Sequence, residues 1–326
     1  MDALVKKPRR NSRWTRDAVI DDGRAIVVYP TDRDIEIFKL LTRYRYLPSD
    51  YIHAFVGGSM SALSRRLNFL SRKPNLYLAR PHQQRETADA NHRHLIYELD
   101  ERGSRVLKER GLSFLPKSYH RNFAHELMVA QIMASFELGT RERANVRLIT
   151  WPEILANPAT PEATRQSPTA ASIPVTFTAH GERHSMHVNA DARPFGIERL
   201  IDGSRTYLFF PGIEADCGTE PIEAGSFERS SIAKKFAAYI AVADQGIYRS
   251  HFGFPNFFVP LIAPARVRME SMMTLLQRMT GGRGSKMFLF KTFPVLSSVE
   301  RSPKAGGHML TEPWLRAGFA PVSLTA

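Results

Sequence analysis

Between Thr31 and Leu70 the sequence sets helix starts and stops so close together that only short helices joined by tight turns fit. Thr31 followed by Asp34 reads as a capping box with Asp in place of the usual Glu or Gln, and Ile35, Ile37, Phe38 and Leu41 carry a helical apolar stripe onward. Pro48, Ser49 and Asp50 open a second helix through Tyr51, Ile52 and Phe55, which Gly57 and Gly58 stop. Ser59 starts a third. On it Met60, Leu63, Leu67 and Leu70 share one stripe, while Ser61, Ser64, Arg65, Asn68 and Arg72 gather on the opposite face. Those are groove-facing chemistries: Arg grips guanine edges or phosphates, Asn bonds adenine edges, and small Ser residues let a helix approach a duplex closely.

Two strand-like runs at 76–79 and 94–99 follow, joined by a polar tip, PHQQRETADANHR, that carries Arg85 and Arg93. They read as a hairpin wing. A last helix holds Val106 and Leu107 among Arg102, Arg105, Lys108 and Arg110 and ends at Gly111. The expected unit is a winged helix-turn-helix DNA-binding domain over 29–115, preceded by a flexible basic arm, 1–28, bearing Lys6, Lys7, Arg9, Arg10, Arg13 and Arg16. The charge distribution agrees: 23 basic and 14 acidic residues lie in 1–120, against 22 and 18 in the rest of the 326-residue chain. Such a concentrated excess suits a polyanion, because phosphate contacts release counterions.

Residues 116–326 read as a second domain. A helix over 119–139 is apolar on several sides and therefore largely buried; Glu126 borders its Phe123 stripe, so this carboxylate needs a metal, an arginine or a backbone donor. A strand at 146–151 and a Pro, Ala and Thr-rich surface loop at 155–172 come next. Then come strands at 175–178 and 186–188, a long strand at 207–216, a helix at 227–243, a strand through Phe257 and Phe258, a helix at 267–279 and a strand at 287–290. This order implies a mixed central sheet with helices on both faces, so the chain as a whole is expected to be α+β.

Asp191 is expected to end the second hairpin strand, and Glu214 and Asp216, two apart, share one face of the next. If those strands are neighbours, three carboxylates converge at one sheet end, a set of hard oxygens suited to Mg²⁺ acting on a phosphodiester. Lys235 flanks the apolar stripe of the following helix and can face the sheet, whereas Lys234 lies opposite. Lys235 is thus the cation expected to polarise the scissile phosphate or the attacking water.

The residues Ala190 and Asp191, the run GIEADCGTE at 212–220 and the run KFAAY at 235–239 resemble the replication-relaxation protein family, with a likeness that covers most of the chain from Thr31 to about Phe290. The resemblance implies an N-terminal winged helix followed by a domain similar to PD-(D/E)XK nucleases, in proteins linked to plasmid replication and DNA relaxation. It implies that Asp191 is the Asp of the PD motif, Glu214 the acid of the (D/E)XK motif, and Glu126 the acid often found on the first helix of the fold, with Asp191 and Glu214 as the ligands of Mg²⁺. Ala190 departs from the pattern by replacing the Pro, and Asp216 by standing where the nuclease lysine would be; Lys235 can supply that cation from the helix. Two readings follow: a metal-dependent DNA endonuclease or nickase, or a non-catalytic regulator or replication accessory factor whose nuclease-like domain serves for dimerisation or partner contact.

The expected partners are double-stranded DNA, a second copy of the chain, and a relaxase or replication protein. No stretch approaches the roughly 20 apolar residues of a membrane span, so a cytoplasmic protein is expected. One cysteine, Cys217, excludes a disulfide framework and paired-cysteine zinc modules. The loop GGRGSK at 281–286 lacks the ending of a phosphate loop and precedes a strand; His184 and His187 face opposite sides of theirs; and His92 with His94 lacks a third ligand.

Overall fold

The computed structural model describes residues 15–86, 94–112, 122–179, 181–224, 229–296 and 303–326, and these form an α+β chain of twelve helices and several sheets. It divides into two compact units between Phe123 and Ala124, eight residues beyond the expected boundary at 115.

The first unit opens with a small hairpin, β1 (Ile20–Asp21) and β2 (Arg24–Ala25). The expected free arm is thus held from Arg16 onward: the Lys73 N–H donates to the Arg16 carbonyl, the Arg16 guanidinium meets Asp100 at 2.6 Å, and Asn75 bonds both Ile26 and Val28. Lys6, Lys7, Arg9, Arg10 and Arg13 lie outside the described residues. Helix α1 (Asp32–Tyr44) starts on the expected capping box, with the Thr31 N–H 2.7 Å from Asp34. A short strand β3 (Leu47–Pro48) leads into α2 (Ser49–Val56), and Ser59 caps α3 (Met60–Leu70). Leu63, Leu67 and Leu70 are all buried, which is what their 3-and-4 spacing requires.

The wing region differs in detail. Strand β4 is only Leu78–Ala79, because Leu76 takes a positive φ of 49° that ends the extended run. Residues 82–85 form a helical turn, α4 (His82–Arg85), anchored by the buried Gln84, which donates to the His94 carbonyl and accepts from the Ile96 N–H. Strand β5 (Ile96–Leu99) pairs antiparallel with both β3 and β4, giving the order β3-β5-β4, and α5 (Glu101–Glu109) closes the unit.

The second unit takes all but the first residue of α6 (Phe123–Arg141), then β6 (Val146–Ile149) and α7 (Trp151–Ala156). The strand expected through Trp151 therefore stops at Ile149, where Thr150 forms a capping box with Glu153. The expected loop at 155–172 contains a further helix, α8 (Glu162–Gln166), which Pro161 precedes and which buries Thr164. Strands β7 (Ile173–Ala179) and β8 (Glu182–Val188) make a hairpin. Strand β9 (Phe195–Ile201) was hidden in the sequence by Glu198 and Arg199, which break its apolar alternation and meet polar partners in the fold. It lies between β6 and β10 (Ser204–Phe210), antiparallel to both.

The long strand expected over 207–216 is two strands, β10 and β11 (Glu214–Ala215), in different sheets. Gly212 makes the break with φ 137°, at a point where a Cβ would lie 2.2 Å from the Ala192 carbonyl oxygen. After α9 (Ile232–Asp244) and α10 (Ile247–Phe252) comes β12 (Val259–Ala263), not the strand expected at Phe257 and Phe258; Pro260 sits inside it and masks it. Then follow α11 (Arg266–Met279), β13 (Phe288–Thr292), α12 (His308–Thr311), β14 (Trp314–Arg316) and β15 (Phe319–Val322).

The central sheet runs β11-β12-β13-β14-β15, its first three strands parallel. Strand β12 is buried on both faces: Val259, Leu261 and Ala263 pack with Phe236 and Tyr239 of α9 and Met272 and Leu276 of α11, while Ile262 packs with Met128, Ile132 and Phe136 of α6. The Phe258 N–H donates to the Phe209 carbonyl at 3.0 Å and so stitches the end of β10 to the start of β12.

Candidate functional site

In the second unit the site forms where the chain crosses from β10 to β11. Asp191 lies in the connection from β8 to β9, beyond the strand end at Val188 where it was expected. Its backbone N–H donates to the Ile213 carbonyl at 2.9 Å, and its Oδ2 accepts the Ala215 N–H at 2.7 Å. These two bonds fix Asp191 beside Glu214 although 22 residues of chain separate them.

Glu214 is 4% exposed. Its Oε1 accepts the Tyr239 hydroxyl at 2.5 Å, and its Oε2 lies 2.9 Å from Lys235 Nζ, both partners coming from α9. Positions 235 and 239 are one helical turn apart, so the same face of α9 presents cation and hydroxyl together. The Lys235 ammonium also meets Glu220 at 2.9 Å. Burial raises the Glu214 carboxyl above its ordinary range, and nearby Asp191 adds to this, while Lys235 and Tyr239 favour the charged form. For Lys235 burial acts downward, yet Glu214, Glu220 and Asp191 outweigh it and hold the amine well above its ordinary value. Lys235 is therefore a fixed positive charge at neutral pH.

Asp216 does not join them as a free carboxylate. Arg268 of α11 grips it, Nε to Oδ2 at 2.8 Å and Nη2 to Oδ1 at 3.3 Å, and Oδ1 also accepts the Gly218 N–H. The same guanidinium donates to the Glu220 carbonyl and so pins the segment that carries the Glu220 carboxylate toward Lys235. Glu126 buries both carboxylate oxygens on α6. Its neighbour His125 reaches Asp191, with Nε2 3.2 Å from Oδ1. The hydrogen bond to Asp191 raises the His125 pKa against the opposing effect of burial. Burial, with Asp216 and Asp191, pushes the Cys217 thiol up to about 11, so it stays protonated and is no nucleophile at neutral pH.

The fold thus gathers Asp191, Glu214 and Lys235, places Asp216 alongside in an ion pair, and adds His125, Glu220, Tyr239 and Arg268. The sequence carried a signal for two of these four additions, the spacing of Tyr239 behind Lys235 and the position of Glu220 in the run shared with Glu214. Neither His125 nor Arg268 had one, because their partners are remote in sequence. Among the described residues no group of three or more His, Cys, Asp or Glu side chains is placed to hold a metal ion by itself.

In the first unit α3 exposes Ser61, Ser64 and Arg65, with Asn68 half-buried on the same side. Arg72 is not on this helix, which ends at Leu70 with Ser71 as its cap; it lies in the turn that follows. Arg85 is exposed on α4, and Arg93 lies outside the described residues. Arg66, adjacent to Arg65, turns inward: it binds Asp34 at 2.6 Å and the Tyr29 carbonyl, tying α3 to the start of α1.

The family model described as replication-relaxation matches residues 38–256, from within α1 to the residues just before β12. The chain belongs to the replication-relaxation family. The match spans Asp191, Glu214 and Lys235 and ends before Arg268, so the guanidinium that holds Asp216 lies outside the matched region of this replication-relaxation protein. Membership connects the protein with replication and relaxation. No curated protein and no solved structure matches the chain. Among the described residues no helix is long and apolar enough to cross a membrane.

Proposed function

We propose that this replication-relaxation protein binds duplex DNA through a winged helix-turn-helix in its first unit and acts on phosphodiesters at the Asp191, Glu214 and Lys235 site of its second. The observation that carries the reading is the bond from the Ala215 N–H to Asp191 Oδ2, which sets two carboxylates from separate chain segments beside one half-buried lysine. Further support comes from element order. Three short helices beside a small sheet of order β3-β5-β4 support the winged-helix reading of the first unit. The order α6, β6, β9, β10, β11, α9 and β12, with α7, α8, β7 and β8 inserted after β6 and α10 after α9, supports the reading of the second unit as PD-(D/E)XK-like.

Two carboxylates on neighbouring segments suit Mg²⁺, which takes one or two protein carboxylates and completes its octahedron with waters and phosphate oxygens. Asp191 and Glu214 would hold it, and when bound it would supply Lewis acidity toward the phosphate and a more acidic water. The chain's own groups do the rest. Lys235, kept charged by three carboxylates, offers its ammonium to a phosphate oxygen where negative charge develops. Tyr239 holds the Glu214 carboxylate in one orientation. His125 does the same for Asp191.

A second reading rests on Asp216: it occupies the place of the in-line nuclease lysine and is committed to Arg268, as in a domain that keeps the fold for partner contact. Under either reading a second copy of the chain, or a relaxase or replication protein, is the expected protein partner, and the cytoplasm the expected location. Incubation of the purified protein with supercoiled plasmid, with and without Mg²⁺ or Mn²⁺, separates the two. Metal-dependent relaxed or linear product that disappears in both Asp191→Asn and Glu214→Gln supports the nuclease. Intact plasmid with salt-sensitive binding supports the non-catalytic factor.

A further inference from the structure

Arg80, which stands just after β4, is bound to the groove-facing side of α3. Its Nη2 donates to Asn68 Oδ1 at 2.9 Å and to Ser71 Oγ at 2.7 Å, and its Nε donates to the same hydroxyl at 3.1 Å. The Ser71 hydroxyl in turn donates to the Asn68 carbonyl at 3.2 Å, and the guanidinium stands 5.8 Å from the ring centre of Tyr97 on β5. A guanidinium has donors only, so the end of the Asn68 amide that faces it must be oxygen. The amide cannot flip without setting its NH₂ against the guanidinium, and the direction of Nδ2 is fixed with it.

We infer that Arg80 is a positioning residue that presets Asn68 to read one adenine in the major groove. The inference rests on the reading of α3 as the groove helix. Adenine offers an N7 acceptor beside an N6 donor, and a carboxamide matches that pair only in one orientation; in the other it sets donor against donor. An exposed Asn samples both orientations and loses rotamer freedom on binding, whereas the pair with Arg80 settles the choice before DNA arrives. Ser61, Ser64 and Arg65 lie on the same exposed side of α3, so Asn68 is placed among groove-facing residues. Arg80 contributes to sequence preference through Asn68 and not through a base of its own.

The test is selection of bound duplexes from a random library by the full-length protein, followed by affinity for the selected site and for each single base-pair change. The wild type is expected to require adenine at one position, and Asn68→Ala to lose that requirement. Arg80→Lys, which keeps the charge and loses the fork, is expected to relax the same position about tenfold with an unchanged salt dependence of binding. The variant carrying both changes is expected to be no worse than either alone. Asn68→Asp keeps an acceptor for Arg80 on a half-exposed position, and is expected to lose the adenine by losing Nδ2. Undiminished adenine preference in Arg80→Lys or Asn68→Asp, or effects that multiply in the double variant, would overturn the inference. Salt-dependent duplex binding with no adenine position overturns it alone; the lack of any salt-dependent duplex binding overturns the DNA-binding reading beneath it.

Discussion

Lys235 Nζ lies 2.9 Å from Oε2 of Glu214, and the glutamate side chain is only 5% exposed, so a half-buried ammonium is the charged partner of a buried carboxylate. Taking away one member of such a pair strands the other in a low-dielectric setting, which costs far more than the intact pair contributes. Lys235→Met is therefore expected to destabilise the second unit by about 3 kcal/mol. Combining it with Glu214→Gln should recover part of that loss. Urea unfolding of the two single variants and the double variant checks this, and additive losses would show that the two groups do not interact.

Tyr239→Phe removes the only hydroxyl on that ring and with it the 2.5 Å bond to Glu214. Leaving a buried acceptor without its donor costs about 1–3 kcal/mol, and a loss of that size is expected in denaturant unfolding, with secondary structure retained by circular dichroism. A loss under a few tenths of a kcal/mol would mean that water takes the place of the hydroxyl.

Gly212→Ala is expected to be worse than its chemistry suggests. The residue combines φ 137° with a neighbour, the Ala192 carbonyl, that a Cβ would approach to 2.2 Å. The clash falls between β10 and β11 and pushes on the very segment that carries Asp191. The variant should lose more than about 2 kcal/mol and also lose any metal-dependent cleavage. Wild-type stability in the purified variant would contradict the tight approach.

Burial lowers the Lys291 amine to about 8, against the weaker pull of Glu312. The folded chain therefore gives up this proton at lower pH than the unfolded chain does. Between about pH 8 and 10.5 the unfolded state holds more protons, so this group's contribution to stability rises with pH over that window and is flat below it. Measured against Lys291→Met, the wild type should gain up to about 3 kcal/mol from pH 7.5 to 10.5. A constant difference across the window would refute the burial cost.

Replacing Arg65 and Arg72 together by Ala should weaken duplex binding and flatten its dependence on salt by about two units of slope if both meet phosphates. Because Arg72 sits in the turn after α3, the two single variants are expected to differ, with Arg65→Ala the more sensitive to base sequence. Unchanged affinity in the double variant would remove this face from the interface.

Local signals made the first unit legible. The Thr31 and Asp34 capping box, the glycines after α2 and the leucine stripe of α3 each act within a few residues, and the structure returns them almost unshifted. Arg65 and Arg66 mark the limit: consecutive and chemically identical, one faces solvent and the other closes on Asp34 from a different helix. The strand errors have similar causes. Pro260 and the charged pair Glu198 and Arg199 disguise strands whose polar demands are met only by neighbours, and Gly212 ends a run that its composition would continue.

The site divides the same way. The one-turn spacing of Lys235 and Tyr239 follows from the helix period, so the sequence alone determined that these two share a face of α9, whereas Asp216 lies just past the end of β11 at Ala215. The sequence also determined the charge that favours a polyanionic partner. Only the tertiary structure decided that Asp191 lies beside Ala215, that His125 and Arg268 enter the network, and that Asp216 is spent on an arginine 52 residues away. Periodicity is a property of neighbouring residues, whereas the pairing of charges depends on which segments the packed core brings within a few ångströms of one another.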